Sequence, residues 1–361
     1  MLLRRLQLRN HRNYARLDLL MEPGVNVFMG ANGQGKTNLL EAVAMLALST
    51  SPRVRREVEL VGPVAGGSRI EAEVETSGKR MEITIALNVE GDRAHRTIEV
   101  DGARRRAVDL PGHFRVTLFW PDDLGLIKAG PDQRRRFLNQ LLVQIEPGYA
   151  RALSGLRRIL DQRNSLLKRI ADGEEAQAVL EVWNAELVRT GSEVAAARAK
   201  AVRELAPSAG HSHSEIGGGE RLEIEYLGPP EDLAAAVHNS LGDDLRRGVT
   251  SVGPHRDDLR VLLDGRDARS FGSQGQQRTA VVSLKLAEAE LVTTRTGERP
   301  VLLLDDVLSE LDLERRSSLL RQVATGGQVV ITAVDAGSFP PDLIAGAAVW
   351  KVEAGTVEPC G

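Results

Sequence analysis

The stretch that decides the fold is Gly30-Ala31-Asn32-Gly33-Gln34-Gly35-Lys36-Thr37. It matches the pattern G-x-x-x-x-G-K-[S/T] at every fixed position. A short apolar run, Val25 to Met29, precedes it, and a predicted helix, Asn38 to Leu46, follows it. Glycines in such a loop let backbone N–H groups turn inward around a phosphate, at the positive end of the helix dipole. The stretch therefore predicts a P-loop, the binding site of a nucleoside triphosphate.

The polar side chains of this loop have separate predicted roles. Lys36 is expected to reach the β- and γ-phosphates as a point charge and so to assist catalysis as well as binding. The Thr37 hydroxyl is expected to ligate Mg²⁺. The residues predicted to bind the nucleotide in this part of the chain are Gly30, Asn32, Gly33, Gly35, Lys36, Thr37 and Asn38.

A second apolar strand, Val301 to Leu304, ends in two carboxylates, Asp305 and Asp306. Asp305 is predicted to hold the metal through water, and Asp306 to orient or deprotonate the attacking water. Alone, the pair would be interpreted as two solvated aspartates at the end of a strand. Downstream of a P-loop, we interpret it as a Walker B motif.

A serine and a glycine begin another predicted helix, Gln276 to Leu291, in the segment Phe271-Gly272-Ser273-Gln274-Gly275-Gln276-Gln277-Arg278. A hydroxyl donor, bare backbone and a helix N-terminus suit a γ-phosphate. Alone, the segment would be an ordinary helix with Ser273 as its N-cap. It lies between the P-loop and a Walker B motif that Ser309-Glu310-Leu311-Asp312 follows. In that position it resembles the signature motif of ABC-type ATPases, and the later segment resembles their D-loop.

The middle of the chain predicts a helical arm. Apolar residues fall on one face over residues 153–170 and again over residues 180–201, with a polar break at residues 171–175. Two such helices form an antiparallel hairpin that is too short for a long coiled coil. The stretch Gly210 to Gly219 is interpreted as a linker. Its His211 and His213 are not expected to bind a metal, because a flexible tract offers no rigid ligand geometry.

The two ends of the chain predict a single discontinuous head. Residues 68–76, 81–89 and 95–101 indicate an antiparallel meander with turns at Ser77-Gly78 and Gly91-Asp92. The apolar run Gln328 to Thr332, like Val301 to Leu304, is typical of a parallel strand covered on both faces. We predict an α/β protein, a P-loop ABC-type ATPase head of residues 1–125 and 246–361, with a helical hairpin arm of residues 126–245 inserted into it.

Composition bounds the class of protein. The 361 residues are 42% hydrophobic and 27% charged, which is ordinary for a globular chain. No run of about 18 uncharged apolar residues indicates a membrane span, and the first residues lack the apolar core of a signal peptide. The single cysteine, Cys360, excludes a disulfide framework and a cysteine-based zinc site. We expect a cytoplasmic protein.

Arginine clusters are the candidate DNA contacts. They are Arg53 with Arg55 and Arg56, Arg104 to Arg106, and Arg134 to Arg136. Guanidinium groups suit phosphate, although such clusters are usually solvated or ion-paired, and the net charge of −3 does not by itself indicate a nucleic-acid binder. No helix-turn-helix or zinc finger is evident. Any DNA binding is therefore expected to rest on phosphate contacts and to depend strongly on salt.

Several separated segments, in order along the chain, resemble the RecF family of bacterial recombination mediators. They are Leu8 to Tyr14, Gly33 to Ala42, Pro121 to Leu124, Gly130 to Leu138, Gly253 to Leu259, and Ser273 to Arg278. The resemblance extends from the first strand to the Walker B region and so covers most of the chain.

This resemblance implies an ABC head similar to that of SMC and Rad50 proteins, which binds ATP with Mg²⁺. It implies a homodimer that forms with ATP, binds DNA, hydrolyses ATP slowly, and works with RecO and RecR to help load RecA at single-strand gaps. By position, Arg12 and Asn13 lie where such heads contact the nucleotide base, and Arg53 is a phosphate-side arginine. The signature residues that act on the ATP of the other subunit are Ser273, Gly275 and Gln276.

The sequence departs from the ABC pattern at three places. Asp306 stands where most ABC proteins have glutamate, and one fewer methylene moves the base by about 1.5 Å, which favours slow turnover. Ala333 stands near the usual switch histidine and cannot sense a γ-phosphate. Asp122-Asp123 stands roughly where the glutamine loop is expected, so metal coordination from that loop is in doubt.

Three other functions fit parts of the pattern. A transporter-type ATPase subunit would share the motifs, but its coupling glutamine and switch histidine are not recognisable. A small-molecule kinase would use the P-loop and leave the Ser273 segment without a role. A purely structural DNA clamp would need little hydrolysis. The sequence favours the ATP-driven DNA-binding dimer and leaves these three to experiment.

Overall fold

The computed structural model describes residues 1–54, 56–64, 66–91, 93–217, 219–324 and 326–360. The strands are β1 (Leu2–His11), β2 (Tyr14–Leu20), β3 (Val25–Met29), β4 (Gly67–Thr76), β5 (Lys79–Glu90), β6 (Arg93–Val100), β7 (Ala103–Arg105), β8 (Val116–Phe119), β9 (Leu222–Leu227), β10 (Asp258–Leu263), β11 (Arg266–Asp267), β12 (Val301–Asp305), β13 (Val329–Ala333), β14 (Ala348–Glu353) and β15 (Thr356–Pro359). The helices are α1 (Lys36–Leu48), α2 (Gly125–Lys128), α3 (Pro131–Ile145), α4 (Tyr149–Ala171), α5 (Leu180–Glu215), α6 (Leu233–Asn239), α7 (Leu241–Arg247), α8 (Ala268–Phe271), α9 (Gln274–Thr296), α10 (Leu313–Ala324) and α11 (Pro341–Ala345).

A six-stranded sheet carries the phosphate loop. Its order is β15-β14-β3-β13-β12-β8, and every pair is parallel except β14 with β15. Along β12 the side chains alternate between two cores: Leu303 packs on one face, while Leu302 and Leu304 pack on the other. Strands covered on both faces are continuous apolar runs, as predicted for β12 and β13.

Helix α1 lies between this sheet and a second, antiparallel one. The second sheet has the order β2-β1-β4-β5-β6-β7, and its inward side chains form one core with α1 and the near face of the parallel sheet. Strands β4, β5 and β6 confirm the predicted meander, and β4 pairs directly with β5 across the predicted turn at Ser77-Gly78. Of the other predicted turn, Asp92 lies outside the described residues.

The far face of the parallel sheet is covered by α9 and α10. Val282 and Leu286 of α9 and Leu319 of α10 pack there with the outward leucines of β12. The opposite side of α9 packs against α3, α5 and the small antiparallel sheet β11-β10-β9. Helix α9, which begins at the predicted signature motif, is therefore buried between the parallel sheet and the root of the arm.

Helices α4 and α5 form the antiparallel hairpin that the apolar periodicity predicts. The predicted linker from Gly210 to Gly219 is wrong over residues 210–215, because α5 continues to Glu215. Ala209 packs in the core beside α9, and His213 is fully buried, so this glycine- and histidine-containing stretch is helical by packing rather than by composition. Although α5 has 36 residues, none of the described helices is apolar enough to cross a membrane.

Buried arginines join the arm to the chain that follows it. Arg163 of α4 donates to Asp244 at 2.8 Å, and both side chains are fully buried. Arg198 of α5 donates to Asp257 at 3.1 Å, and both of these side chains are also buried. The small sheet pairs β9 with β10 across the predicted boundary at residues 245/246. The division into head and arm remains a prediction.

A buried histidine lies in the antiparallel sheet next to the β1–β2 turn. His11 is fully buried, and its Nδ1 lies 3.1 Å from Ser68 Oγ on β4. Burial lowers the pKa of His11 to about 4, against an ordinary value of 6.5. The folded protein therefore holds this imidazole neutral over a pH range in which the unfolded chain protonates it.

We expect His11 to make the protein acid-sensitive. Its folded-state pKa is depressed, so the stabilisation it gives is complete above pH 6.5 and is lost as the pH falls from 6.5 to 4, by up to about 3 kcal/mol. His11→Gln should flatten the dependence of unfolding free energy on pH over this window, measured by urea denaturation. His238→Gln, at an exposed histidine, is the matched control. An unchanged slope in His11→Gln would contradict the assignment.

Candidate functional site

The P-loop connects β3 to α1 at the carboxyl edge of the parallel sheet. Its glycines are required for two different reasons. Gly33 and Gly35 adopt positive φ angles of 82° and 115°, which side-chain-bearing residues rarely adopt. A Cβ at Gly30 would lie 2.3 Å from the carbonyl oxygen of Val352 on β14. The loop is thus tight both in its own backbone and against the neighbouring strand.

Lys36 is buried at the start of α1 and folds back over the loop. Its Nζ donates to the carbonyl oxygens of Gly30 at 2.6 Å and Ala31 at 3.0 Å. Burial lowers the pKa of the Lys36 ammonium, an effect that the charges of Asp306 and Asp305 oppose. Among the described contacts, two carbonyl oxygens hold this desolvated ammonium, and phosphate oxygens can take their place.

The buried Asp305 at the end of β12 meets the hydroxyl predicted to bind the metal. Thr37 Oγ1 donates to the Asp305 carboxylate, with oxygen–oxygen distances of 2.9 and 3.1 Å, and Thr332 Oγ1 of β13 donates to it at 2.8 Å. Burial raises the pKa of Asp305, against the effect of these two hydroxyls. A hydroxyl beside a desolvated carboxylate is the hard oxygen donor set that Mg²⁺ takes, so these residues fit the ion.

Asp306 follows directly in a left-handed conformation, with φ of 50°. Its backbone N–H donates to Thr332 Oγ1 at 3.0 Å, and its carbonyl accepts from Ser309 Oγ at 2.7 Å. The strained turn aims the two consecutive aspartates differently, because one ends a strand and the other begins a single helical turn, Val307–Glu310. The side chain of Glu310 lies outside the described part of the site.

The turn between β1 and β2 reaches the P-loop through Asn13. Its Nδ2 donates to the Gln34 carbonyl at 2.8 Å, and its Oδ1 accepts from Asn38 at 2.9 Å. Arg53 in turn donates to Asn38 Oδ1 at 2.9 Å. The structure thus brings together Asn13, Asn38 and Arg53, three of the residues predicted to contact the nucleotide.

Arg12 in the same turn has a different partner. Its Nε and Nη2 donate to the two carboxylate oxygens of Glu41 on α1, at 2.9 and 3.0 Å. The Glu41 side chain is fully buried and also accepts from Ser51. Sequence reasoning missed Glu41, which occurs in an otherwise apolar helix, and that isolated charge was the available signal. With its guanidinium held this way, Arg12 braces α1 beside the loop.

The last β-hairpin also contacts the P-loop, a contact that no sequence pattern predicted. Ala354 N donates to Gln34 Oε1 at 2.7 Å, and Gly355 N donates to the Gln34 carbonyl at 3.1 Å. Gly355 has a φ of 80°, and a Cβ there would lie 2.2 Å from the Asn13 carbonyl oxygen. Residues 13, 34 and 355 are therefore packed backbone against backbone. Tyr14, also missed, donates to the Gly35 carbonyl at 3.0 Å.

The signature segment begins α9 with an exposed Ser273. Its Oγ accepts from the Gln276 backbone N–H at 3.3 Å, while Gln276 Oε1 accepts from the Ser273 N–H at 2.7 Å, which closes a capping box. Gly275 lies beside Arg315, which pairs with Asp312 of the predicted D-loop at 2.6 Å. Within the described residues, the Ser273 side chain hydrogen-bonds only to Gln276, and the Gln276 side chain hydrogen-bonds only to Ser273 and to Glu220.

Large apolar side chains are exposed next to the same motifs. Phe271, just before the signature, is 62% exposed; Leu313, just after Asp312, is 77% exposed; and Val334, just after β13, is 47% exposed. These three side chains are therefore accessible for contact with another chain at the signature, the D-loop segment and the end of β13.

Asp122 and Asp123 lie after β8, at the carboxyl edge of the same sheet. Asp123 accepts from the Trp120 N–H at 2.7 Å, and burial raises the pKa of its carboxyl group. The Arg53 guanidinium lies over the Trp120 ring, 5.9 Å from its centroid. This turn therefore borders the nucleotide region, but its described contacts do not show a metal ligand.

The arginine clusters differ in how much charge they leave for DNA. Arg134 is buried and forms a two-pronged pair with Asp258, at 2.6 and 3.0 Å, so it joins α3 to β10. Arg135 binds Asp132 and the Asp257 carbonyl. The arginines at positions 104–106 are exposed. Of the first cluster, Arg55 lies outside the described residues.

Comparison with known proteins gives close matches over the whole chain. Residues 2–341 match the family described as the RecF/RecN/SMC N terminal domain. The DNA replication and repair protein RecF of Chloroflexus aurantiacus is 40% identical over 382 residues, covering 97% of each chain. The RecF protein of Heliobacterium modesticaldum is 38% identical over 363 residues, again covering 97% of each.

Solved structures agree with these relatives. The recombination mediator protein RecF in complex with ATP, from the RecFOR pathway, superposes with a TM-score of 0.91 at 33% identity, covering 99% of this chain and 97% of that one. An SMC head bound to the C-winged helix domain of ScpA gives a TM-score of 0.58 at 13% identity, covering 100% and 97%, and so shares the fold alone. The chain has the α/β fold of an ABC-type ATPase head and belongs to the RecF family.

Proposed function

We propose that this chain is an ATP-driven, DNA-binding ATPase of recombinational repair that closes as a homodimer around two ATP molecules. One observation supports this most. The P-loop, Lys36 and Asp305 form one half of a phosphate pocket, while the exposed Ser273 presents a helix N-terminus with no phosphate of its own to bind. A second copy supplies what each half lacks. The exposed Phe271, Leu313 and Val334 suit the surface that this closure buries.

In the proposed pocket the P-loop N–H groups and Lys36 bind the β- and γ-phosphates of ATP. Thr37 and Asp305 would hold Mg²⁺, the latter through water, and the ion would neutralise part of the phosphate charge. Asn13 and Asn38 lie on the base side, and Arg53 serves the phosphate side. Because Lys36 is already desolvated, replacing its carbonyl partners with phosphate oxygens carries little further desolvation cost.

Hydrolysis in this proposal depends on Asp306 and on the second subunit. Asp306 orients or deprotonates the attacking water. The signature residues Ser273, Gly275 and Gln276 form the partner's side of the γ-phosphate site, with Ser273 and the backbone of Gly275 as donors and Gln276 as the residue that closes the capping box. The shorter side chain of Asp306 favours slow turnover. We propose that DNA stimulates it, because DNA bound across both heads stabilises the closed dimer.

The family membership supports the cellular role that we propose. RecF relatives carry the name DNA replication and repair protein. We propose that the closed dimer binds gapped DNA at the junction of single and double strands, and that with RecO and RecR it helps load RecA. Among the arginine clusters, Arg104 and Arg105 are the better candidates for phosphate contacts, because Arg106 pairs with Asp109, and Arg134 and Arg135 are likewise held by carboxylates of their own chain.

We expect Ser273→Arg to abolish ATP-dependent dimerisation and to leave ATP binding by the monomer within about twofold. A long cation there displaces the hydroxyl and obstructs the approach of the other P-loop. The measurement is sedimentation with and without Mg²⁺-ATP and gapped DNA. Ser154→Arg, the same change at an exposed serine of α4, is the control. A dimer that forms equally well with Ser273→Arg would remove the composite pocket.

Asp306→Asn should keep ATP binding and dimerisation while lowering turnover about 100-fold, the ordinary contribution of a general base. The closed dimer should then persist, which is measured as slower dissociation after ATP is diluted. Asp161→Asn, at an exposed aspartate of α4, controls for the charge change. Unchanged phosphate release would assign water activation to another group.

Gly355→Ala tests the brace that the last hairpin gives to the P-loop. A methyl group at this positive φ, opposed by the Asn13 carbonyl oxygen, should displace the hairpin from Gln34 and weaken ATP binding about 10-fold. Gly102→Ala is the matched control: its φ of 73° is equally unfavourable, but a Cβ there meets nothing within 4 Å. Equal ATP affinity of the two variants by calorimetry would show that the hairpin does not hold the loop.

A further inference from the structure

We infer that Glu220 is a positioning residue for the signature motif, holding Gln276 so that the start of α9 stays open to the γ-phosphate of the other subunit. The inference rests on the proposed function, because it gives Gln276 and its neighbours their trans role. Glu220 belongs to none of the recognised ATPase motifs. It lies on the short connection between the end of α5, at Glu215, and the start of β9, at Leu222.

Both polar atoms of the Gln276 side-chain amide are hydrogen-bonded. Its Oε1 accepts from the Ser273 N–H at 2.7 Å, and its Nε2 donates to Glu220 Oε1 in a short hydrogen bond. An amide bonded at one end only could swing about that bond. Bonded at both ends, it lies along the side of the first turn, and the capping box remains closed.

The consequence is a helix start whose donors remain available. Within the described residues, the backbone N–H groups of Gln274 and Gly275 have no hydrogen-bond partner, as expected for the first turn of a helix. The Ser273 hydroxyl hydrogen is free to turn outward, because its oxygen accepts from Gln276. These three donors form the anion-binding end of α9. If Gln276 were released, its amide oxygen could bend over the same N–H groups and compete with a phosphate.

The charge on Glu220 is matched to this role. The pKa of Glu220 is lowered, chiefly by the hydrogen bond from Gln276, so the carboxylate is ionised at neutral pH. A charge-assisted hydrogen bond of this kind is about twice as strong as a neutral one. The remaining oxygen, Oε2, lies 3.6 Å from Nε2 of the buried His213 on α5.

This arrangement connects the arm to the signature. His213 is in the last turn of α5, and its Nδ1 lies 3.3 Å from Ser283 Oγ in the middle of α9. The arm helix therefore touches α9 through its buried histidine, and it touches the signature through Glu220 on the chain that follows. A shift of α5 relative to α9 would move the carboxylate that holds Gln276.

The test compares Glu220→Ala with Glu223→Ala, a similarly accessible glutamate that pairs with Arg221 on the same segment. Glu220→Ala should weaken ATP-dependent self-association about 10-fold in sedimentation, while monomer ATP affinity and thermal unfolding remain unchanged. Glu223→Ala should match the wild type. Glu220→Gln keeps an acceptor oxygen for Gln276 but loses the charge, so it should recover part of the affinity and lie between Glu220→Ala and the wild type.

A double-mutant cycle separates positioning from a general structural effect. If Glu220 acts through Gln276, adding Glu220→Ala to Gln276→Ala should weaken dimerisation no further. Additive effects, a wild-type dimer in Glu220→Ala, or a Glu220→Gln variant as weak as Glu220→Ala would each overturn the inference. Ser273→Arg is measured in parallel. If it still dimerises, the composite pocket itself is wrong; if it does not and Glu220→Ala behaves as wild type, only the role of Glu220 is wrong.

Discussion

The nucleotide site depends on the hydrogen bonds that the buried Asp305 carboxylate accepts. This carboxylate receives hydroxyls from Thr37, at the start of α1, and from Thr332, on the neighbouring strand β13. A desolvated carboxylate is costly without such partners, so they fix the spacing between the P-loop and the end of β12. A slip of β12 by one residue would turn Asp305 to the opposite face. The register of the parallel sheet therefore determines whether the site has its carboxylate.

The P-loop is held from outside as well as by its own glycines. Gln34 accepts from Asn13 at one end of the chain and from Ala354 and Gly355 at the other. A phosphate-binding loop gains from being formed before its ligand arrives, because less ordering is left for the binding step. Two distant segments that meet on one loop residue provide this preorganisation, and they make the chain ends part of the site.

Sequence patterns predicted the features that depend on residues close together in the chain. The P-loop, the Walker B strand and the capped α9 each depend on residues within a few positions of one another, and apolar periodicity placed the two arm helices. Contacts between residues far apart in sequence were not predictable. No residue near Arg134 in the sequence indicates that Asp258 pairs with it. Similarly, no residue near Gln34 indicates that the last hairpin contacts it. Composition predicts a linker at the glycine-containing end of α5. Burial against α9 makes this stretch helical instead, and composition carries no sign of that burial.

The buried arginines of α4 and α5 constrain how the two arm helices are joined to the rest of the chain. A buried ion pair such as Arg163 with Asp244 offers weak net stabilisation, but breaking it leaves an uncompensated charge, so the geometry around it is either kept or lost as a whole. Arg198 with Asp257 imposes the same condition where α5 passes the small sheet. Each helix of the hairpin is thus joined to the chain that follows it by one buried ion pair, Arg163 from α4 and Arg198 from α5. Because α5 also packs on α9, these pairs fix the root of the arm beside the helix that begins at the signature segment.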